Sequence, residues 1–259
     1  MHPVTDLWLS AVVALVFGLA FGSFLNVCAL RWPVDESVFR PPSRCSGCGE
    51  RIHWHDNVPV VSWLLLRGRC RTCGTLISIQ YPLVELATGL IWGGMVLLHG
   101  LEVEALRGAL FLTILLGIAV SDARFYIIPD QFSIRGTVAG LALAPLTPAI
   151  GTLQAVYGAV LGFVLLWLVA WVVEQAFKKE VMGRGDIKMM AMIGAFLGVD
   201  GVFLTIFFSA FLGAAIFGPI SLKTGKLVPF GIFLAAGAAV AFGWGDLIVG
   251  WYVGWAFGP

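Results

Sequence analysis

The chain has 259 residues, 59% hydrophobic and only 12% charged, with a net charge of +1. Soluble domains average about 25% charged residues, so this composition excludes an ordinary soluble fold and calls for a polytopic membrane protein. The near-neutral balance gives no bulk attraction to nucleic acid. Residues Met1 to Asp6 carry no Lys or Arg. The first apolar run therefore reads as a retained span rather than a cleaved signal, which would begin with basic residues.

Runs of about 20 apolar residues predict membrane-spanning helices. In chain order they fall at 7–30, 82–99, 105–121, 131–148, 155–177, 187–199, 202–221 and 228–245, with the sixth short. The expected fold is an all-α polytopic bundle of about eight transmembrane helices. A small four-cysteine metal-binding insert follows the first helix. The expected domains are the first helix (1–30), the insert (31–80) and a transmembrane bundle (81–259). Residues 246–259 are apolar and Trp-rich, a composition that suits the membrane interface.

Basic residues orient such a bundle. Seven of the sixteen Lys and Arg lie between Arg31 and Arg71. With that segment cytoplasmic and the spans alternating, Arg124, Lys178, Lys179, Arg184, Lys188, Lys223 and Lys226 also fall at cytoplasmic ends. Arg135 lies just inside the fourth span at that same end. Only Arg107 lies near an external end. The N-terminus is then outside, and the insert, Asp122 and Asp186 are on the cytoplasmic side.

The insert carries Cys45-Ser46-Gly47-Cys48 and Cys70-Arg71-Thr72-Cys73. Two C-x-x-C pairs suit a tetrahedral zinc site with Cys45, Cys48, Cys70 and Cys73 as ligands. About 50 residues make too small a core to stand without a staple. Two disulfides are the alternative, which a reducing cytoplasm disfavours. Cys28 stands alone in the first span as a small core residue. His53 and His55 read as exposed polar residues, because four cysteines already close a site.

Asp122 and Asp186 each sit where an apolar run meets a short polar loop. Carboxylates at a membrane boundary are costly and are kept for function. Two that converge can share a proton and activate a water. Gly183 and Gly185 bracket Arg184 just before Asp186, and glycine there lets another backbone approach closely. Helix dipoles favour the anion on Asp186, at a helix start, and leave the shared proton with Asp122, at a helix end. Asp130 after Pro129 reads as a helix-start residue, Glu85 as a cap or a group facing a polar cavity, and Lys188 as a positive-inside anchor.

Taken in order, these segments resemble the bacterial type IV prepilin peptidases, over nearly the whole chain. The resemblance rests on Gly22-Ser23-Phe24-Leu25-Asn26-Val27, the two cysteine pairs, Asn57 to Cys70 between them, and Tyr81-Pro82-Leu83-Val84-Glu85-Leu86. It continues through Asp122 with Pro129-Asp130, Gly183-Arg184-Gly185-Asp186-Ile187-Lys188, and Pro229-Phe230-Gly231-Ile232-Phe233-Leu234. Ser46 stands where the family usually has proline.

The resemblance implies a membrane-embedded aspartyl endopeptidase of the bacterial inner membrane with Asp122 and Asp186 catalytic. Such enzymes remove a short basic leader after a glycine, on the cytoplasmic face, from type IV prepilins or type II secretion pseudopilins. Members with the cysteine insert also N-methylate the new N-terminal residue using S-adenosylmethionine; the methyl-donor site has no assignment in this sequence. The implied partners are substrates with a basic leader and an apolar N-terminal helix, together with membrane lipid. The rival readings are another Gly-x-Gly-Asp intramembrane protease, which would lack the double C-x-x-C insert, a proton-coupled transporter, and a non-enzymatic zinc-knuckle scaffold.

Overall fold

The computed structural model describes residues 3–178, 182–224 and 230–258. Lys179, Lys226 and Pro229, and the side chain of Lys223, lie outside what is described. The elements are α1 (Pro3–Arg31), the short α2 (Val61–Leu65), α3 (Gln80–His99), α4 (Val103–Phe125), α5 (Asp130–Leu143), α6 (Gly151–Phe177), α7 (Arg184–Thr224) and α8 (Phe230–Phe257). The eight apolar runs read from the sequence fall on helices, save that 147–148 lie past the last helical turn and 228–229 lie outside the described residues. In hydrocarbon a helix satisfies every backbone N–H and C=O internally, which apolar side chains alone cannot do. Among the described residues six helices are long and apolar enough to cross a membrane: α1, α3, α4, α6, α7 and α8.

The chain packs as two compact units, residues 1–117 and 118–259. In the first, α1 lies along α3. Lipid gives helices no hydrophobic reason to associate, so close packing of small residues must do it. A Cβ at Gly18 would stand 2.8 Å from the Thr88 carbonyl oxygen, and one at Gly22 would stand 2.6 Å from the Glu85 Cα. Asn26, 1% exposed, donates from Nδ2 to the Tyr81 carbonyl at 3.1 Å. Farther along, Trp92 Nε1 donates to Thr113 Oγ1 at 3.1 Å and fastens α3 to α4. Residues 32–79 form the insert between α1 and α3.

The second unit is built around α7, which packs against α5, α6 and α8. Gly158 of α6 and Gly194 of α7 are in direct backbone contact, leaving no room for a side chain on either. The N-terminal half of α7 is the most buried stretch of the chain. Met189, Met190, Met192, Ile193 and Phe196 are all 1% exposed or less. Outward residues such as Trp171 of α6 and Phe207 of α7 are apolar yet exposed, as a lipid-facing surface requires.

Two sequence expectations change in detail. The spans expected at 187–199 and 202–221 are two arms of one element, α7, which breaks at Gly198 (φ 70, ψ −167). That dihedral pair is open to glycine and strained for other residues. The span expected at 131–148 is the 14-residue α5 followed by a 3-10 turn, Ala144–Leu146. At 1.5 Å per residue α5 is about 21 Å long, short of a hydrocarbon core near 30 Å. Residues 246–257 continue α8 without a break.

Candidate active site and metal centre

Asp122 lies in the last turn of α4 and Asp186 in the first turn of α7. Both belong to the second unit, and both are buried, 4% and 9% exposed. The two carboxyls are close enough for the charge of Asp122 to act on Asp186. The helix packing thus brings together two groups 64 positions apart, with 64 being 186 less 122.

Backbone groups hold each carboxyl. Ile232, in the first turn of α8, donates its N–H to Asp122 Oδ2 at 3.1 Å, and the Gly231 N–H is directed at the same carboxyl. Gly183 donates its N–H to the Asp186 carboxyl, while the Asp186 N–H donates back to the Gly183 carbonyl at 3.1 Å. The first turn of a helix has free N–H groups, and here α8 offers them to an acid from another helix. Gly231 must be glycine for this to work. A Cβ there would stand 2.8 Å from both Asp122 Oδ2 and Ile128 Cδ1.

Gly183 and Gly185 both lie beside the pair, but Gly185 is already covered. Its missing Cβ would stand 2.9 Å from the Ile128 Cβ. The close approach foreseen at that glycine is made by the chain's own Ile128, which is 9% exposed. Ile128 therefore packs against Gly185 and Gly231, two of the three glycines beside the carboxyls. Two residues on, Asp130 receives Lys188 Nζ at 2.7 Å on each carboxylate oxygen. The helix-start acid and the positive-inside anchor of the sequence reading are partners that tie the start of α5 to the start of α7.

Ile128, Gly231 and Ile232 had no assigned role in the sequence. The signal for the last two was their place in the Pro229–Leu234 motif, which opens an apolar run. Nothing local marked Ile128.

The four insert cysteines form a second centre. Cys45, Cys48, Cys70 and Cys73 are free thiols whose Sγ atoms all lie within 4.8 Å of one another. Cys45 and Cys73 Sγ are 3.7 Å apart. A tetrahedron with Zn–S near 2.3 Å sets its sulfurs about 3.8 Å apart, so the donor set fits that ion. The two halves repeat one local design. The Cys45 N–H donates to the Glu50 carbonyl and the Gly49 N–H to the Cys45 carbonyl, as the Cys70 N–H does to Thr75 and the Gly74 N–H to Cys70. Gly49 and Gly74 share φ of 72°.

Electrostatics point the same way. The Thr75 hydroxyl and N–H hold the Cys73 thiol down at about 6, and the N–H groups of Cys73 and Thr72 hold Cys70 below its usual range. The Glu50 N–H pulls Cys48 down as well, but the neighbouring sulfurs, Cys73 first, outweigh it and push it up to about 12. Four bare thiolates cannot crowd together; a divalent cation among them removes the conflict. His53 and His55 stack on each other, ring centroids 5.4 Å apart, and lie outside the cluster.

The sequence has clear relatives among known proteins. The bacterial peptidase A24 N-terminal domain profile matches residues 16–99, and the type IV leader peptidase family profile matches residues 109–218. A prepilin leader peptidase/N-methyltransferase of Stutzerimonas stutzeri is 36% identical, over 94% of this chain and 93% of that protein. One of Bacillus subtilis is 32% identical over 95% of this chain and 99% of that protein. Another, of Myxococcus xanthus, is 38% identical over 85% of this chain and 66% of that protein. No solved structure matches. Six apolar helices and these relatives place the chain among multi-pass inner-membrane proteins. With both profiles and full-length relatives in agreement, the chain belongs to the type IV leader peptidase family.

Proposed function

We propose that this protein cuts the leader from prepilins or pseudopilins with Asp122 and Asp186 as its catalytic pair, and N-methylates the residue so exposed. The supporting observation is the meeting of two buried carboxyls from α4 and α7, each held by backbone N–H groups and with Gly183 and Gly185 alongside. Asp122 accepts two backbone donors and Asp186 one. That difference suits Asp122 to take the proton of the attacking water and Asp186 to donate to the substrate carbonyl, the reverse of the helix-dipole expectation. The tetrahedral intermediate then collapses with proton return to the leaving amine, and no covalent acyl-enzyme forms.

The substrate's apolar helix lies in lipid beside the second unit, and its basic leader stays in the cytoplasm with the insert. Residues 81–259 then supply the peptidase, and residues 31–80 the metal-bearing insert. Zinc held by Cys45, Cys48, Cys70 and Cys73 fixes the fold of that insert, and S-adenosylmethionine supplies the methyl group. The test is purified protein, prepilin and S-adenosylmethionine in detergent, read by mass spectrometry. A lost leader ending in glycine plus one added methyl supports the reading; an intact substrate with folded protein refutes it.

A further inference from the structure

The α1–α3 seam holds a polar cluster that the aspartate pair does not use. Glu85 is 8% exposed, and its Oε2 accepts the Val60 N–H at 2.7 Å. The Ser23 hydroxyl donates to the same carboxylate. Val60 is held at φ 60, ψ −49. A β-branched residue occupies that region only where its surroundings enforce it, and such strain gathers at functional sites. Asn26, 1% exposed, spends both Nδ2 hydrogens on the Gly22 and Tyr81 carbonyls, at 3.2 and 3.1 Å. Its Oδ1 is buried and has no hydrogen-bond partner.

The register keeps these groups together. Gly22 packs on Glu85, and Asn26, four residues after Gly22, reaches Tyr81, four residues before Glu85. Ser23, Asn26 and Glu85 thus fall within one turn of the seam. The Glu85 carboxylate, with lone pairs left beyond those facing Val60 and Ser23, and the donorless Asn26 Oδ1 one turn away can accept further N–H groups. The natural occupant is a primary amine. All three residues lie in the 16–99 match, whereas both aspartates lie in the 109–218 match.

We infer that Glu85 and Asn26 receive the free α-amino group of the cleaved polypeptide and that Glu85 is the base for its methylation. This rests on the proposed cleavage and methyl transfer. The step balances as follows. Glu85 takes one proton from the terminal ammonium and leaves a neutral amine. The nitrogen lone pair bonds to the methyl carbon of a sulfonium donor, and the carbon–sulfur pair departs with sulfur. The products are a secondary ammonium, a neutral thioether and a protonated Glu85. Asn26 Oδ1 accepts an N–H of the amine and orients it.

The test uses the full-length protein in nanodiscs and Glu85→Gln. Glutamine keeps an oxygen for the Val60 N–H, so the strained turn retains its partner while the base is removed. Two probes are mature-terminus pilin peptides, one with a free amine and one N-acetylated, titrated without any methyl donor. The free-amine peptide should bind the variant at least tenfold more weakly, with acetyl-peptide binding unchanged. Methylation should fall at least a hundredfold while prepilin cleavage stays within threefold. Asn26→Ala should reproduce the selective loss of amine binding. Wild-type methylation by Glu85→Gln, equal weakening of both peptides, or parallel loss of cleavage overturns the inference. A wild-type protein that neither cleaves nor methylates overturns the parent reading, and this one with it.

Discussion

Ile232 donates its backbone N–H to Asp122 Oδ2 at 3.1 Å, a bond across 110 positions of sequence. The start of α8 therefore sets the orientation of a carboxyl carried by α4. Because Gly231 sits against both Asp122 and Ile128, Gly231→Ala must displace one of them. A shift of roughly 1 Å at a reacting group costs about a hundredfold in rate. Cleavage by Gly231→Ala should fall by about 10- to 100-fold in kcat with the helical content unchanged, measured by prepilin turnover and circular dichroism.

The Lys188–Asp130 pair joins α5 to α7 with two contacts of 2.7 Å, yet the two side chains are 36% and 53% exposed. Exposed pairs contribute about 0.2–1 kcal/mol. Asp130→Ala or Lys188→Ala should each lower cleavage only a few-fold, and the swap Asp130→Lys with Lys188→Asp should recover most of it. A total loss in either single variant, unrecovered by the swap, would make one of these residues part of the chemistry.

The cysteine cluster should hold one zinc ion per chain, counted by metal analysis of the purified protein. Cobalt in its place should show the visible absorption of tetrahedral thiolate ligation. Removing the metal, or changing Cys45 and Cys73 together to serine, should leave the insert open to protease at Arg67 and Arg69 while the spans stay protected. Small metal-stapled segments lose their fold with their ion.

Asp56 in the insert receives Arg71 through Nε at 2.9 Å and Nη2 at 2.6 Å. The guanidinium holds the Asp56 carboxyl below its usual 3.8. The sign follows from linkage. A depressed carboxylate contributes stability that is fully present above its unfolded value and is lost as pH falls through the lower folded one. Protection of residues 54–73, taken against intrinsic amide exchange at each pH, should therefore fall as pH drops below about 4, and Asp56→Asn should flatten that dependence. An unchanged slope in the variant would remove the pair from the account.

Much of this was legible in order along the chain. Apolar run length located the helices, because lipid leaves the backbone no other way to satisfy itself. The cysteine spacing located the four-thiol cluster, because two pairs each separated by two residues have few other uses. Both acids of the pair stood out by their cost at a membrane edge. What stayed hidden depends on which helices meet. Gly198 looked like an ordinary residue near the end of the sixth span, since sequence shows a glycine but not its φ of 70°. Asp130 and Lys188 looked like separate local features, and only the packing of α5 on α7 pairs them. Ile128 carries no chemistry of its own, so its contact with Gly185 and Gly231 could be seen only once the helices were assembled.

The most direct test is mass spectrometry of prepilin incubated with wild type, Asp122→Asn and Asp186→Asn, each verified as folded and membrane-inserted. The account predicts that wild type releases a leader ending in glycine and that both variants leave the prepilin whole, with at least a thousandfold loss. Near-normal cleavage by either variant would contradict the paired-carboxyl mechanism.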